Sequence, residues 1–496
     1  MRRHLVIPLL GTVAGLVAGA LLATPALADK QAPPPPGKPR DLALPAPRKL
    51  TLPNGLRVTL VTTEGLIPKA AVALSVNTGS VDEAADEVWL SQLTSEMMSQ
   101  GTTSRNAKQI AEDAAVMGST LEIFMANDEA VVSMDVLSDK VDAAVALVAD
   151  VIQNPAFPAS EIDRLKGDLK RQLALVMSQP GARASEKSMA LLFPGHAYGR
   201  LYPTPEQIDA FTVDKVRDFF KRGVGPARAQ LLVVGRFDPD KAEAAIRDRF
   251  GAWTGAETAK RPPAPKMAAM KKKVVFFDRP GAVQSVVQLS TRTVPPAHKD
   301  RIAMRVLNTL FGGAFNSRVV RNLREKHGYT YSPRSFVASL VDDGYFQFRA
   351  DVKTDVTGAS LTELYKELDT LGKTPPPADE LKNAQAYMAG TFALSTSSRW
   401  GLMGLFRQVA LYGLPDDYLT TFVQRTMAVT PADIKRLGKS QLAKDRMIVV
   451  VEGDPEVVLK QLKPFGTIVR EAPSPQAPAA PAPAAGGKVK ATSGTR

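Results

Sequence analysis

Residues 72–80 read VALSVNTGS, and residues 286–293 read VVQLSTRT. Both are runs of branched apolar residues that end in small polar ones, as strands do where they leave a sheet. Two further pairs repeat in the same order. Pro158-Ala159-Ser160-Glu161-Ile162 recurs as Pro377-Ala378-Asp379-Glu380-Leu381. Thr212-Val213-Asp214-Lys215-Val216 ahead of LLVVG recurs as Thr430-Pro431-Ala432-Asp433-Ile434 ahead of IVVVEG. Leu74 and Leu289, Glu161 and Glu380, and Gly235 and Gly453 stand 215, 219 and 218 residues apart. Landmarks in one order at a near-constant offset imply two copies of one domain, and the period is far too long for a solenoid.

Each copy opens on strand runs, LRVTLV and AVALSV in the first and KVVFF and SVVQLS in the second. Helical patterns follow, as in residues 139–152 and 357–371, and a further strand closes the copy. That mixture predicts an α+β fold of two homologous domains, each a largely antiparallel sheet with helices packed on one face. The domains are expected at 48–256 and 273–470. Residues 257–272 form a linker in which Pro262, Pro263 and Pro265 interrupt regular structure.

The flanks read differently. Arg2 and Arg3, an apolar run over residues 6–23 and the A-x-A site Ala26-Leu27-Ala28 predict a secretory signal peptide cut after Ala28. A retained anchor is the competing reading, disfavoured by Pro8, Gly11, Gly15 and Gly19 within the run. The expected address is the periplasm, and no later segment is long and apolar enough to span a bilayer. Residues 29–47 form a proline-rich leader, and residues 471–496, rich in Pro, Ala, Gly and Ser, a disordered tail. The formal charge of +13 suits anionic partners. With Lys271-Lys272-Lys273 as the longest basic run and no interleaved aromatics, nucleic-acid binding is not expected. Zero cysteines exclude disulfides, thiol nucleophiles and thiolate metal sites.

The opening LPNGLRVTLV (52–61), the strand, helix and GT-x-x-R turn that follow (Gly101, Thr102, Arg105) and FPGHAYGR (193–200) give a recognisable order. From about residue 49 to 466 the chain resembles the pitrilysin/insulinase family of zinc metallopeptidases. The resemblance implies an H-x-x-E-H helix before the GT turn, whose two histidines hold zinc while the glutamate activates water. Here those five positions are Gln92-Leu93-Thr94-Ser95-Glu96, and the family's third ligand falls near Arg171-Gln172. Both histidines and the catalytic glutamate are replaced, and no histidine lies between His4 and His196 to restore the set. No metal or cofactor is expected in this chain.

Glu96 reads as a solvated or capping charge. Asp82, Glu83, Asp86 and Glu87 read as a solvated loop and helix start, with calcium the minor alternative and no EF-hand spacing to support it. His196 belongs to a structural turn and His298 to an exposed loop. His327 either lines the same groove as Arg324 or stabilises a helix end. No nucleophile motif surrounds residues 395–399.

What remains is residues 312–336, GGAFNSRVVRNLREKHGYTYSPRSF. Leu323-Arg324 and Tyr331 match the family's L-R-x-x-x-x-x-x-Y arrangement. By that resemblance Arg324 and Tyr331 bind substrate, donating to the peptide backbone where charge develops on the scissile carbonyl. A surface ion pair for Arg324 and a half-buried strand position for Tyr331 are the structural alternatives. The family includes two-chain enzymes in which one subunit holds zinc and the other the Arg/Tyr pair. The expectation is therefore a non-catalytic, substrate-binding subunit of a heteromeric periplasmic zinc peptidase acting on peptides or unfolded segments. A homologous H-x-x-E-H-bearing partner would supply the zinc. The alternative is an inactive peptide-binding or scaffold protein without a peptidase partner.

Overall fold

The repeated strand runs pair within their own halves. A computed structural model describes residues 43–64, 67–257, 261, 263–267 and 272–471. The expected signal peptide, most of the leader and all but the first residue of the expected tail lie outside them. The first sheet is built from β1 (Arg48–Thr51), β2 (Arg57–Thr62), β3 (Lys69–Val76), β4 (Glu122–Met125), β5 (Ala130–Leu137) and β6 (Ala229–Gly235), in the order β1-β2-β6-β3-β5-β4. The second holds β7 (Lys273–Asp278), β8 (Gln284–Thr293), β9 (Arg334–Leu340), β10 (Asp343–Lys353), β11 (Ile448–Gly453) and β12 (Thr467–Glu471), in the order β12-β7-β11-β8-β10-β9.

The fold is α+β, and five strands of each sheet follow one plan. β3 sits between β6 and β5 with Leu74 opposite Leu231 and Val132, and β8 sits between β11 and β10 with Leu289 opposite Val449 and Phe348. β2 runs parallel to β6, as β7 does to β11. The sixth strand differs: β1 joins antiparallel to β2, whereas β12 joins parallel to β7. The matching Thr-containing landmarks also act alike, since Thr212 and Thr430 each cap a helix by accepting the amide three residues on.

Each half packs its own helices on one face of its sheet. Leu93, Val148 and Leu169, from the Leu90–Met98, Val141–Gln153 and Ile162–Met177 helices, meet Val72, Leu74, Leu231 and Val233 in one core. Leu307, Leu364 and Met388, from the Arg301–Asn308, Thr357–Lys373 and Ala378–Thr396 helices, meet Val287, Leu289, Phe346 and Phe348 in the other.

The remaining face of each sheet is covered by the opposite half. The Arg399–Leu411 helix lays Leu402, Met403 and Phe406 against Val61, Ala71, Ala73, Leu232 and Val234 of the first sheet. The Ala182–Leu192 helix returns the exchange, setting Ala184, Met189 and Leu192 against Val275, Phe277, Ile448 and Val450 of the second. Burying one such large apolar side chain stabilises the fold by about 2 kcal/mol. Strands buried on both faces need apolar residues at successive positions, which is why LLVVG and IVVVEG read as continuous runs and not as alternations. The described residues accordingly form one compact unit.

A buried polar network reinforces this exchange. Arg261 places its guanidinium on both Asp82 oxygens at 2.9 Å and on Asn77, and Arg228 reaches Asp82 at 2.8 Å. Burial disfavours charge on Asp82, but the two arginines outweigh it and hold the carboxyl below its usual range. Asp128 accepts from the Tyr198 hydroxyl at 2.5 Å and from the Val341 amide of the second half at 3.1 Å.

The acidic loop departs from expectation. Glu83 and Glu87 are buried, not solvated. Glu83 accepts from the amides of Trp89 and Ser91 and from the Ser91 hydroxyl, so it does serve the start of the Leu90–Met98 helix. Burial pushes its carboxyl up to about 7 against these donors. Glu87 pairs with Arg222. Arg222 lies far along the chain, so local sequence gave no sign of this compensation. Among the described residues no helix is long and apolar enough to cross a membrane.

Candidate functional site

The Leu90–Met98 helix carries the five positions from which zinc ligands are missing, and the Ile162–Met177 helix brings Gln172 alongside. The Gln92 amide donates to Glu96 Oε1 at 3.0 Å and to Gln172 Oε1 at 2.6 Å. Counting from the GT turn thus located three side chains that meet in space. They satisfy one another: two amides and one carboxylate do not form the imidazole, thiolate or carboxylate set that zinc takes. Glu96 is not the freely solvated charge expected; it is half-buried, and burial raises its carboxyl above the ordinary range while Gln92 pulls the other way. Among the described residues, no group of three or more His, Cys, Asp or Glu could hold a metal ion.

The second half departs from this closed arrangement at the end of its own first helix. After Asn308 the Arg301–Asn308 helix widens over Thr309–Gly313. The glycine pair is required by close approach: a Cβ on Gly312 would lie 2.5 Å from the Ser335 hydroxyl, and one on Gly313 2.6 Å from the Asn308 amide. Ser335 in turn donates to Asn308 at 2.8 Å, which ties this turn to β9. A second wide turn, Val320–Lys326, follows. There the His327 amide reaches back five residues to the Asn322 carbonyl at 3.1 Å. Such widened turns recur at functional sites because they re-aim side chains that a regular helix would bury.

Here the re-aimed side chain is Arg324. Its neighbour Leu323 is anchored in the core, while the guanidinium carbon lies 4.5 Å from the Tyr331 ring centre and 4.9 Å from that of Phe315. Both rings are open to solvent, Tyr331 at 78% and Phe315 at 68% exposure. Tyr331 lies just before β9 and is not a half-buried strand aromatic. Arg324 makes no ion pair among the described residues. The guanidinium thus contacts two π-systems, and no carboxylate among the described residues takes its N–H groups.

Phe315 is the member that sequence reasoning missed. An aromatic in a loop has no periodicity to mark it, and only its place beside the glycine pair was a signal. His327 does not line the groove: its ring stacks on Tyr329 at 4.8 Å and its Nε2 lies 3.9 Å from Glu363 at the end of the wide turn. His196 and His298 each accept a backbone amide through Nδ1, as turn histidines do.

Residues 60–204 match the profile of the insulinase family, peptidase family M16, and residues 210–388 match that of the peptidase M16 inactive domain. An uncharacterized zinc protease of Streptomyces coelicolor is 24% identical over 412 residues, covering 82% of this chain and 89% of that protein. One from Mycobacterium tuberculosis is 29% identical over 306 residues, covering 60% and 68%. The fold is shared with a crystal structure of a peptidase M16 inactive domain from Pseudomonas fluorescens, with TM-score 0.76 at 23% identity over 82% of this chain and 98% of that one. It is shared too with a protease from Helicobacter pylori, with TM-score 0.77 at 18% identity over 83% and 100%. With both halves matched by profiles of a single family, the chain belongs to the M16, or pitrilysin/insulinase, peptidase family.

Proposed function

We propose that this protein is the non-catalytic, substrate-binding subunit of a heteromeric M16 peptidase. The observation that carries the reading is the exposed Phe315–Arg324–Tyr331 cluster. It is a cation in contact with two solvent-facing rings, in a protein whose own metal positions are filled by Gln92, Glu96 and Gln172. A held guanidinium donates to a peptide carbonyl whose oxygen gains charge, without a reorganisation cost at the moment of attack. β9, three residues beyond Tyr331, is the edge strand of its sheet and offers backbone groups for an extended peptide to pair with. A homologous subunit with an intact H-x-x-E-H would supply zinc and water, and the pair would act on peptides or unfolded segments in the periplasm.

Co-expression with such a homologue tests the proposal. The expected result is a complex that cleaves peptides, with activity lowered by about two orders of magnitude in Arg324→Ala and less in Tyr331→Phe. Failure of the two chains to associate, or full activity of the pair carrying both substitutions, rejects it in favour of a peptide-binding scaffold without a peptidase partner.

A further inference from the structure

The second half contains another arginine whose surroundings are incomplete. Arg301 opens the Arg301–Asn308 helix and is only 7% exposed. Its Nε and one terminal nitrogen have no hydrogen-bond partner, and no carboxylate pairs with it among the described residues. The guanidinium carbon lies over the rings of Tyr412 and Tyr418, at 5.1 and 5.2 Å from their centres. Stacking returns less than burial of a cation costs. Arg305 adds a second positive charge nearby, and burial together with that charge pushes Arg301 below its ordinary value.

The helix start makes the deficit larger. The N-terminal end of a helix is itself positive, and Asp300 does not cap it, because its carboxylate is held by both terminal nitrogens of Arg436. At the start of the corresponding helix in the first half stands Glu83, whose carboxyl accepts that helix's amides. In the second half the carboxylate at that position, Asp300, is spent on Arg436 and takes none of the helix amides.

Arg301 lines a cavity of about 440 Å³ whose walls include Ile302, Ala303, Leu414, Pro415 and Val429. Tyr418 lines it too, and its buried hydroxyl has no hydrogen-bond partner. His298 and Lys299 stand at the same cavity, with Asp300 and Asp433 already engaged by Arg436. The cavity joins an apolar wall to a polar one in which Asp300 and Asp433 are held by Arg436 and Arg425 by Asp417, which leaves the Arg301 guanidinium unpaired; that combination is complementary to an apolar body that ends in an anion. We propose that this cavity binds an organic carboxylate, with Arg301 and Tyr418 holding the carboxylate oxygens and the apolar walls holding the hydrocarbon. The ligand chemistry is common to a free aliphatic acid and to the C-terminus of a peptide ending in an apolar residue. The inference does not depend on the role of Arg324.

Calorimetric titration of the whole protein decides it. Isocaproate and the peptide acetyl-Ala-Ala-Leu with a free carboxyl end are compared with isocaproamide and the C-terminal amide of the same peptide. The expected result is that at least one acid binds about tenfold or more tightly than its amide. Tighter binding of the peptide acid assigns the site to chain termini, and tighter binding of isocaproate assigns it to free acids. Arg301→Met removes acid binding while leaving the melting temperature equal or higher, and Tyr418→Phe weakens binding by a smaller factor. If neither acid binds at millimolar concentration, if the amides bind as well, or if Arg301→Met binds like the native chain, the site does not exist and the tyrosine stack is the whole role of Arg301.

Discussion

The first helix of each half starts from the same place in a repeated fold, yet the two are finished in opposite ways. In the N-terminal half the charges around it are closed: Glu83 takes helix amides, Glu87 takes Arg222, Asp82 takes Arg228 and Arg261, and Gln92, Glu96 and Gln172 bond one another. In the C-terminal half two cations are left open, Arg324 against exposed rings and Arg301 at a cavity. Charges that are satisfied internally stabilise a fold; charges with free valence are available to something else. Substitutions should therefore separate the halves by what they damage.

The sharpest test is at Arg261. Removing it leaves Asp82 buried beside a single arginine, so Arg261→Met should lower stability by about 3–5 kcal/mol, read from urea unfolding midpoints. A loss below about 1 kcal/mol would mean that the first half does not rely on this closure.

Glu83 gives a pH signature. Its folded pKa near 7 lies above the usual carboxyl value, so its stabilising contribution is complete below about pH 4.5 and is lost as pH rises through about 7. Glu83→Gln should flatten that part of the stability profile, a difference of up to about 3 kcal/mol between native and variant chains over the window. Parallel profiles would show that the carboxyl is ionised at no cost.

Arg324→Ala should behave in the contrary sense. Stability should stay within about 0.5 kcal/mol, because only exposed rings lose a partner, while the activity of the assembled peptidase falls. A large loss of stability would move Arg324 to the same class as Arg261. At the small end, Gln92→Ala with Gln172→Ala should change unfolding midpoints by less than about 1 kcal/mol and leave activity of the pair unaltered. A fall in activity there would show that the residual cluster still takes part in substrate handling.

Much of this architecture is legible in order and spacing. Strand runs, their repeat and the Gly101-Thr102 turn locate both sheets, and counting from that turn finds Gln92, Glu96 and Gln172 before any coordinates do. Arg324 and Tyr331 are legible because seven residues of spacing happen to survive folding as a 4.5 Å contact. What is not legible depends on partners distant in sequence. Glu87 looks solvated until Arg222 arrives beside it, and Arg261 looks like a linker residue until Asp82 receives it. Phe315 has no pattern of its own, since exposure of a loop aromatic is decided by the two wide turns around it. Nor do apolar periodicities reveal that each sheet borrows a helix from the other half.

That borrowing has a consequence for the order of synthesis. The first sheet is complete once β6 has been made, but the helix that covers its second face, Arg399–Leu411, is translated more than 160 residues later. Until then Val61, Ala71, Ala73, Leu232 and Val234 lack their cover. A nascent chain stopped before Arg399 should stay open to protease and bind apolar dyes, while one extended past Leu411 should resist both. Closure of the early half thus waits on the late half, and an unfinished polypeptide keeps one face of its first sheet bare until Leu411 has been made.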